Sequence, residues 1–253
     1  MIYDLQKASM WKRISSFLFD GIMLGILAVL FAWLLSTALR FDRYADDLTA
    51  AYARYEEEFG VSFTLTSEEY SALSEEDTQR LNDAYAALNA DAQAVRAYNM
   101  SVQLTLIITS ISLLLAFLTF EYVIPLKLGN GQTLGKKIFS LGVMRTEGVR
   151  INGVSLFIRA VLGKFTIETM IPALIIIMIY WGTIGIVGPI VLFMIAAVQL
   201  VLMITTRTNS PIHDLLADTV VIDLPSQMIF DTREDLIAYK ERVHAEMAAR
   251  QSY

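Results

Sequence analysis

Apolar residues in this chain gather into long unbroken blocks instead of recurring at helical or strand periods. Blocks of this kind belong in lipid, and four reach membrane-spanning length: residues 14–39, 101–124, 165–181 and about 188–204. As one helix, residues 165–204 would run roughly 60 Å, about twice the hydrocarbon thickness. Gly182, Gly185, Gly188 and Pro189 supply the punctuation for a tight turn between two short helices, three spans being the alternative.

The polar stretches between the blocks predict further elements. Residues 41–100 are rich in Ala, Tyr and Glu and contain no proline, which predicts a helical hairpin continuing both neighbouring spans. Its turn falls at 60–66, with Ser67 and Ser74 as N-caps, the second followed by Glu75, Glu76 and Asp77. Residues 137–144 alternate loosely and end at Arg145-Thr146-Glu147-Gly148 before Val149-Arg150-Ile151, predicting a small β-hairpin, to which the β-branched run 219–222 could add a third strand. Residues 155–164 read as an amphipathic interfacial helix with Arg159 and Lys164 reaching headgroups. A charged helix follows, capped by Asp231 or Thr232.

Composition agrees with this pattern: 55% of residues are hydrophobic and 18% charged. The fold class expected is an all-α polytopic membrane protein. Its four transmembrane helices are joined by a small cytoplasmic β-hairpin or three-stranded sheet and an extracytoplasmic helical hairpin. A net charge of -6 and the lack of a basic motif argue against nucleic acid, and the absence of cysteine excludes disulfides, thiolate metal sites and cysteine nucleophiles.

The distribution of Lys and Arg sets the orientation. The segment between the second and third spans carries Lys127, Lys136, Lys137, Arg145, Arg150, Arg159 and Lys164, whereas the longer one after the first span has only Arg40, Arg43, Arg54, Arg80 and Arg96. The denser segment is assigned to the cytoplasm, which places both termini inside and 41–100 outside. Trp11 suits an inner interface anchor, and Tyr180 with Trp181 an outer one. The first block carries a charge and is long for a signal-peptide core, so it reads as an uncleaved anchor despite Ser36-Thr37-Ala38.

That charge is Asp20, an expensive residue inside a span. Arg13, seven residues earlier, shares its helix face but lies roughly 10 Å away along the axis. Beside Asp20, Gly21, Gly25, Ala28 and Ala32 form a small-residue stripe expected to pack against Thr105, Thr109, Ser112 and Ala116 of the second span. The alternative is that these hydroxyls only bond to carbonyls of their own helix. Once the topology is drawn, Asp20, Glu121, Glu168 and Gln199 fall at similar depth. They form a candidate ion or proton site, in which carboxylates that repel one another would have raised pKa values. Interfacial placement is the plainer alternative for Glu121 and Glu168. The run 129–135 followed by Lys136 does not match a phosphate loop, and His213 lacks a nucleophile or a second histidine beside it. Enzymatic activity, cofactors and a metal site are not expected.

The chain resembles the RDD family of membrane proteins. An arginine at the start of the first span, an aspartate within it and a second aspartate after the last span match Arg13, Asp20 and Asp214. The run Gly131-Gln132-Thr133-Leu134-Gly135-Lys136-Lys137 leading to Gly142-Val143-Met144, and the run from His213 through Val221, match as well. The resemblance covers about 7–40 and 101–223, so it divides the chain into 1–40, an inserted hairpin 41–100, the remaining membrane domain 101–223 and a cytoplasmic C-terminal helix 224–253. Asp218 stands where family members often have glycine. The resemblance implies a mostly bacterial family for which transport is proposed and, for some members, ion antiport. Because Asp20 sits too deep for Arg13, Asp214 is the partner expected for Arg13, in a bidentate salt bridge. The function expected is a bacterial inner-membrane transporter of an ion or small solute, with Asp20 handling charge and with the lipid bilayer and a homo-oligomer as partners. The alternative is a non-catalytic scaffold that recruits an extracytoplasmic protein through the hairpin.

Overall fold

The computed structural model describes residues 5–251. In chain order the elements are α1 (Met10–Leu39), α2 (Phe41–Phe59), α3 (Ser67–Ser71), α4 (Glu75–Ala90), α5 (Ala92–Leu128), α6 (Leu134–Ile138), β1 (Leu141–Arg145), α7 (Gly153–Tyr180), α8 (Val187–Thr205), α9 (Ile212–Leu216), β2 (Thr219–Asp223) and α10 (Arg233–Gln251). The four apolar blocks become α1, α5, α7 and α8, each long and apolar enough to cross a membrane. Large apolar side chains such as Phe17, Trp33 and Phe193 stay exposed along them, as a lipid environment requires. The chain divides into two compact units, Val29–Ser112 and the remainder.

In the unit Val29–Ser112, α2 packs on α4 around Ala51, Leu88 and Ala94, with Tyr52, Tyr55 and Phe63 against them. Glycine ends α2 because Gly60 takes a left-handed φ of 65°. The expected N-cap at Ser67 shifts back by one residue. Thr66 accepts from Glu69 N while the Glu69 carboxylate accepts from Thr66 N, a reciprocal pair that Ser67 has no acidic residue three positions on to make. Ser74 caps α4 as expected, and Asp91 accepts from the amides of Gln93 and Ala94 to start α5.

In the other unit, β1 and β2 pair antiparallel in the register Leu141↔Asp223, Val143↔Val221 and Arg145↔Thr219. One face of this sheet packs on Ala8, the other on Leu5, Leu224 and Ile229. The expected hairpin or three-stranded sheet is therefore a two-stranded sheet between distant segments. The Arg145 and Gly148 amides close a tight turn, but the Arg150 amide then donates to Phe230 O, which leaves Met144↔Arg150 as an isolated bridge. Residues 155–164 do not form a separate interfacial helix; they run without a break into the third span, and Arg159 is buried. Between α7 and α8, Gly182 and Gly185 take left-handed φ values and make the predicted turn. Thr232 is the cap of α10, accepting from Asp235 N.

The small-residue seam is not built as expected. A Cβ added to Gly21 or Gly25 would meet nothing within 4 Å, because burying Ser16 and Asp20 turns these glycines, about 100–140° further round the helix, outward. Ala28 and Ala32 are half-buried, as are Thr105 and Thr109, while Ser112 and Ala116 are buried. The Thr105 hydroxyl donates to Ser101 O and that of Ser112 to Thr109 O, each within its own helix.

Asp218, at the entry to β2, has a φ of 52°. The left-handed region is one that glycine enters freely, which accounts for the glycine that the resemblance places there. Its carboxylate accepts from the Thr146 hydroxyl. Relief of backbone strain and loss of that bond oppose each other, so Asp218→Gly is expected to change stability by less than about 1 kcal/mol. Thermal unfolding in detergent measures this.

Candidate functional site

The site begins on α1, whose buried face carries Ser16 and Asp20. The loop before α6 wraps this carboxylate. The Gly135 amide donates to Asp20 Oδ1 at 2.8 Å, the Thr133 hydroxyl donates to Oδ2, and Ser16 Oγ lies 3.4 Å from Oδ2. A Cβ on Gly135 would sit 2.6 Å from Ser16 O, so the glycine lets the loop backbone reach α1. Gln132 braces the loop by donating to Leu141 O. Lys136 Nζ donates to Thr133 Oγ1 at 3.0 Å and stands 3.6 Å from Asp20 Oδ2. Burial above all, then the Lys164 cation, pushes the Lys136 ammonium down to about 8; Glu121 opposes this, Arg159 adds to it and Asp20 opposes it.

Two stretches of the spans, Leu118–Val123 and Ile158–Met170, are wound as π-helix, a geometry often found at functional sites. The i→i+5 repeat brings Arg159 and Lys164 onto one face, whereas α-helical winding would set them about 140° apart. Lys164 Nζ then contacts Glu121 Oε1 at 2.5 Å, and Arg159 Nε contacts Asp214 Oδ1 at 2.8 Å.

Asp214 and His213 arrive on α9, which docks on α7 where Gly163 leaves room: a Cβ there would lie 2.4 Å from His213 Cβ. Arg159 Nη2 is 3.2 Å from His213 Nε2, and a guanidinium can only donate, so Nε2 is the acceptor and the ring proton sits on Nδ1. That Nδ1–H donates to Glu168 at 2.8 Å, and the His213 amide donates to the same carboxylate at 3.0 Å. Burial lowers the His213 pKa, in keeping with a neutral ring. Burial also pushes the Asp214 carboxyl up, but the Arg159 guanidinium above all, with the Thr219 hydroxyl, outweighs it and holds the carboxyl well below the usual carboxylate range. Gln199 Oε1 accepts from the Ile212 amide and so steadies the same turn.

The cluster pairs four carboxylates, Asp20, Glu121, Glu168 and Asp214, with four basic side chains, Arg13, Lys136, Arg159 and Lys164, around His213. The expected layer of Asp20, Glu121, Glu168 and Gln199 thus separates into two groups. Asp20 and Glu121 both act on Lys136, while Glu168 and Gln199 hold the α9 turn. Each carboxylate faces a base and not another carboxylate. Arg13 and Asp214 do approach, but through a single 3.8 Å contact in place of a bidentate bridge, because Arg159 and Thr219 already take Oδ1. Arg159 and Lys164, expected at headgroups, are instead paired within the chain, with Asp214 and Glu121. Among the described residues no group of three or more His, Asp or Glu side chains is arranged to hold a metal ion.

A model of the RDD family matches residues 7–218. The chain belongs to the RDD family. No curated protein and no solved structure matches it significantly. The three residues that carried the RDD resemblance all lie in this cluster: Asp20 anchors the α6 loop to α1, Asp214 anchors α9 to α7, and Arg13 looks onto Asp214. Sequence reasoning missed Lys136, Thr133, Lys164, Arg159 and His213 as members. Two basic residues five apart, next to an apolar block, were the signal available for the π-wound face.

Proposed function

We propose that this RDD family membrane protein moves an ion or small solute across the bilayer by exchange with protons, and that the buried cluster around Asp20 handles the charge. The observation that carries this reading is the charge-balanced set of ionisable side chains within and beside membrane-spanning helices. Ionisable groups are rare in such places unless they serve a pathway or a relay. The Lys and Arg distribution supports an orientation with both termini cytoplasmic and 41–100 outside, and the bacterial inner membrane is the placement that the RDD resemblance implies. Four spans are few for a complete path, so the reading includes a homo-oligomer and assigns no catalysis.

Purified protein in sealed liposomes is expected to dissipate an imposed pH gradient on addition of a specific cation. Asp20→Asn should abolish this flux while the fold persists, since the amide oxygen still accepts from Gly135 N. Flux that survives Asp20→Asn undamaged would remove the role given to Asp20.

One observation favours a scaffold instead: each carboxylate of the cluster is partnered from within the chain, as a static lock requires. The open recess lined by Phe63, Tyr70 and Tyr85 would then seat an outer protein partner. Absence of flux with sodium, potassium and lithium, together with a stoichiometric co-purifying protein, would favour that reading.

A further inference from the structure

Lys136 and Arg159 are the buried bases of the cluster and Lys164 is half-buried beside them, and the three are not equally held. Arg159 stays charged at any accessible pH and contacts Asp214 at 2.8 Å; Lys164 contacts Glu121 at 2.5 Å. Lys136, whose side chain is 8% exposed, has its nearest carboxylate oxygen at 3.6 Å and gives its hydrogen bond to a neutral hydroxyl, Thr133 Oγ1. A buried ammonium with so little compensation has its neutral form within reach. The surroundings tolerate both forms. An amine still donates an N–H to Thr133 Oγ1, and the Thr133 hydroxyl still donates to Asp20 Oδ2. Asp20 is stabilised by Gly135 N and Thr133 whatever the state of Lys136.

We propose that Lys136 Nζ is the atom of this cluster that gives up and takes up a proton, with Asp20 as its fixed counter-charge. The proposal rests on the exchange reading above and names its proton carrier. In the step one N–H bond of the ammonium breaks, the electron pair stays on Nζ, and the proton passes to water. The Lys136–Asp20 pair goes from neutral to singly negative, and that charge couples proton release to uptake of positive charge. The charged groups that set the balance come from three helices: Asp20 on α1, Glu121 on α5, and Arg159 with Lys164 on α7. Their combined effect, with burial, places the group at about 8 against an ordinary 10.5.

Full-length protein carrying 13C-labelled lysine, reconstituted in lipid nanodiscs, tests this by NMR titration. One lysine signal is expected to titrate with a midpoint near 8 and to be missing from Lys136→Arg; where that variant does not fold, Lys136→Met assigns the signal instead. A Lys136 midpoint at the ordinary lysine value or above overturns the proposal. In liposomes of phosphatidylethanolamine and phosphatidylglycerol, with sodium, potassium and lithium in turn, the fixed-charge Lys136→Arg and the neutral Lys136→Met should both lose most of the flux. Flux with the wild-type pH profile in either variant overturns the proposal too. Wild-type protein that moves no cation but shows the midpoint near 8 would sink the exchange reading alone and leave Lys136 as the titrating group.

Discussion

Asp214→Ala is expected to destabilise the protein by about 3–5 kcal/mol, the loss typical of removing one partner from a buried ion pair. Arg159 is 2% exposed and Asp214 fully buried, so the substitution strands a buried guanidinium without the carboxylate it is paired with. It also removes the carboxylate that accepts from the Thr219 hydroxyl at 2.8 Å, at the start of β2. Arg13→Gln should cost far less, about 1 kcal/mol or under, because that side chain meets Asp214 only through one long contact. Replacing both ends, as Arg159→Met with Asp214→Leu, should recover much of the loss. Exchanging the charges of Arg13 and Asp214 should not, since the new arginine would face Arg159. The pH dependence has the same origin. The Asp214 carboxyl is held below its unfolded value, so its contribution is complete above the unfolded pKa and is lost as pH falls through the folded one. Thermal and denaturant unfolding of the purified protein in detergent measures these differences; a loss below about 1 kcal/mol for Asp214→Ala would mean that Arg159 finds another partner.

Gly135→Ala carries the second large effect. Its methyl group would fall 2.6 Å from Ser16 O and 2.8 Å from Asp20 Oδ1, atoms of a membrane helix that cannot retreat alone. The loop must lift off α1 and surrender the Gly135 N–H to Asp20 hydrogen bond, so overpacking and a lost bond to a charged group combine to about 3 kcal/mol or more. Gly21→Ala and Gly25→Ala provide the contrast: both sites face open space, and each change should stay within about 0.5 kcal/mol. The same unfolding assay separates the two classes. Equal losses at Gly25 and Gly135 would show that the outward face of α1 is packed against something, a second copy of the chain being the first to examine.

The spans, the turn at Gly182–Gly185 and the caps at Ser74 and Thr232 were legible because each depends on local chemistry: apolar run length, left-handed φ, or a hydroxyl three residues before a backbone amide. Arg13, Asp20 and Asp214 could also be picked out, as charges set against apolar blocks. Their partners could not. A 3.6-residue repeat sets Arg159 and Lys164 on different faces, and only the π-wound backbone of α7 aligns them. The same assumption sent both residues to the membrane surface. The glycine stripe failed for a related reason: which face of α1 turns inward was decided by Asp20, not by residue size.

Hydropathy, charge asymmetry and turn chemistry are properties of residue types in order, so the chain order alone gave a membrane protein with four apolar blocks of spanning length and the three charged positions that mark its family. Which base meets which carboxylate depends on segments more than a hundred residues apart, as where Thr133 and Gly135 close on Asp20, and on helical windings that no residue pattern announces. Only the folded chain supplied those, because burying a charge imposes a partner without naming which one.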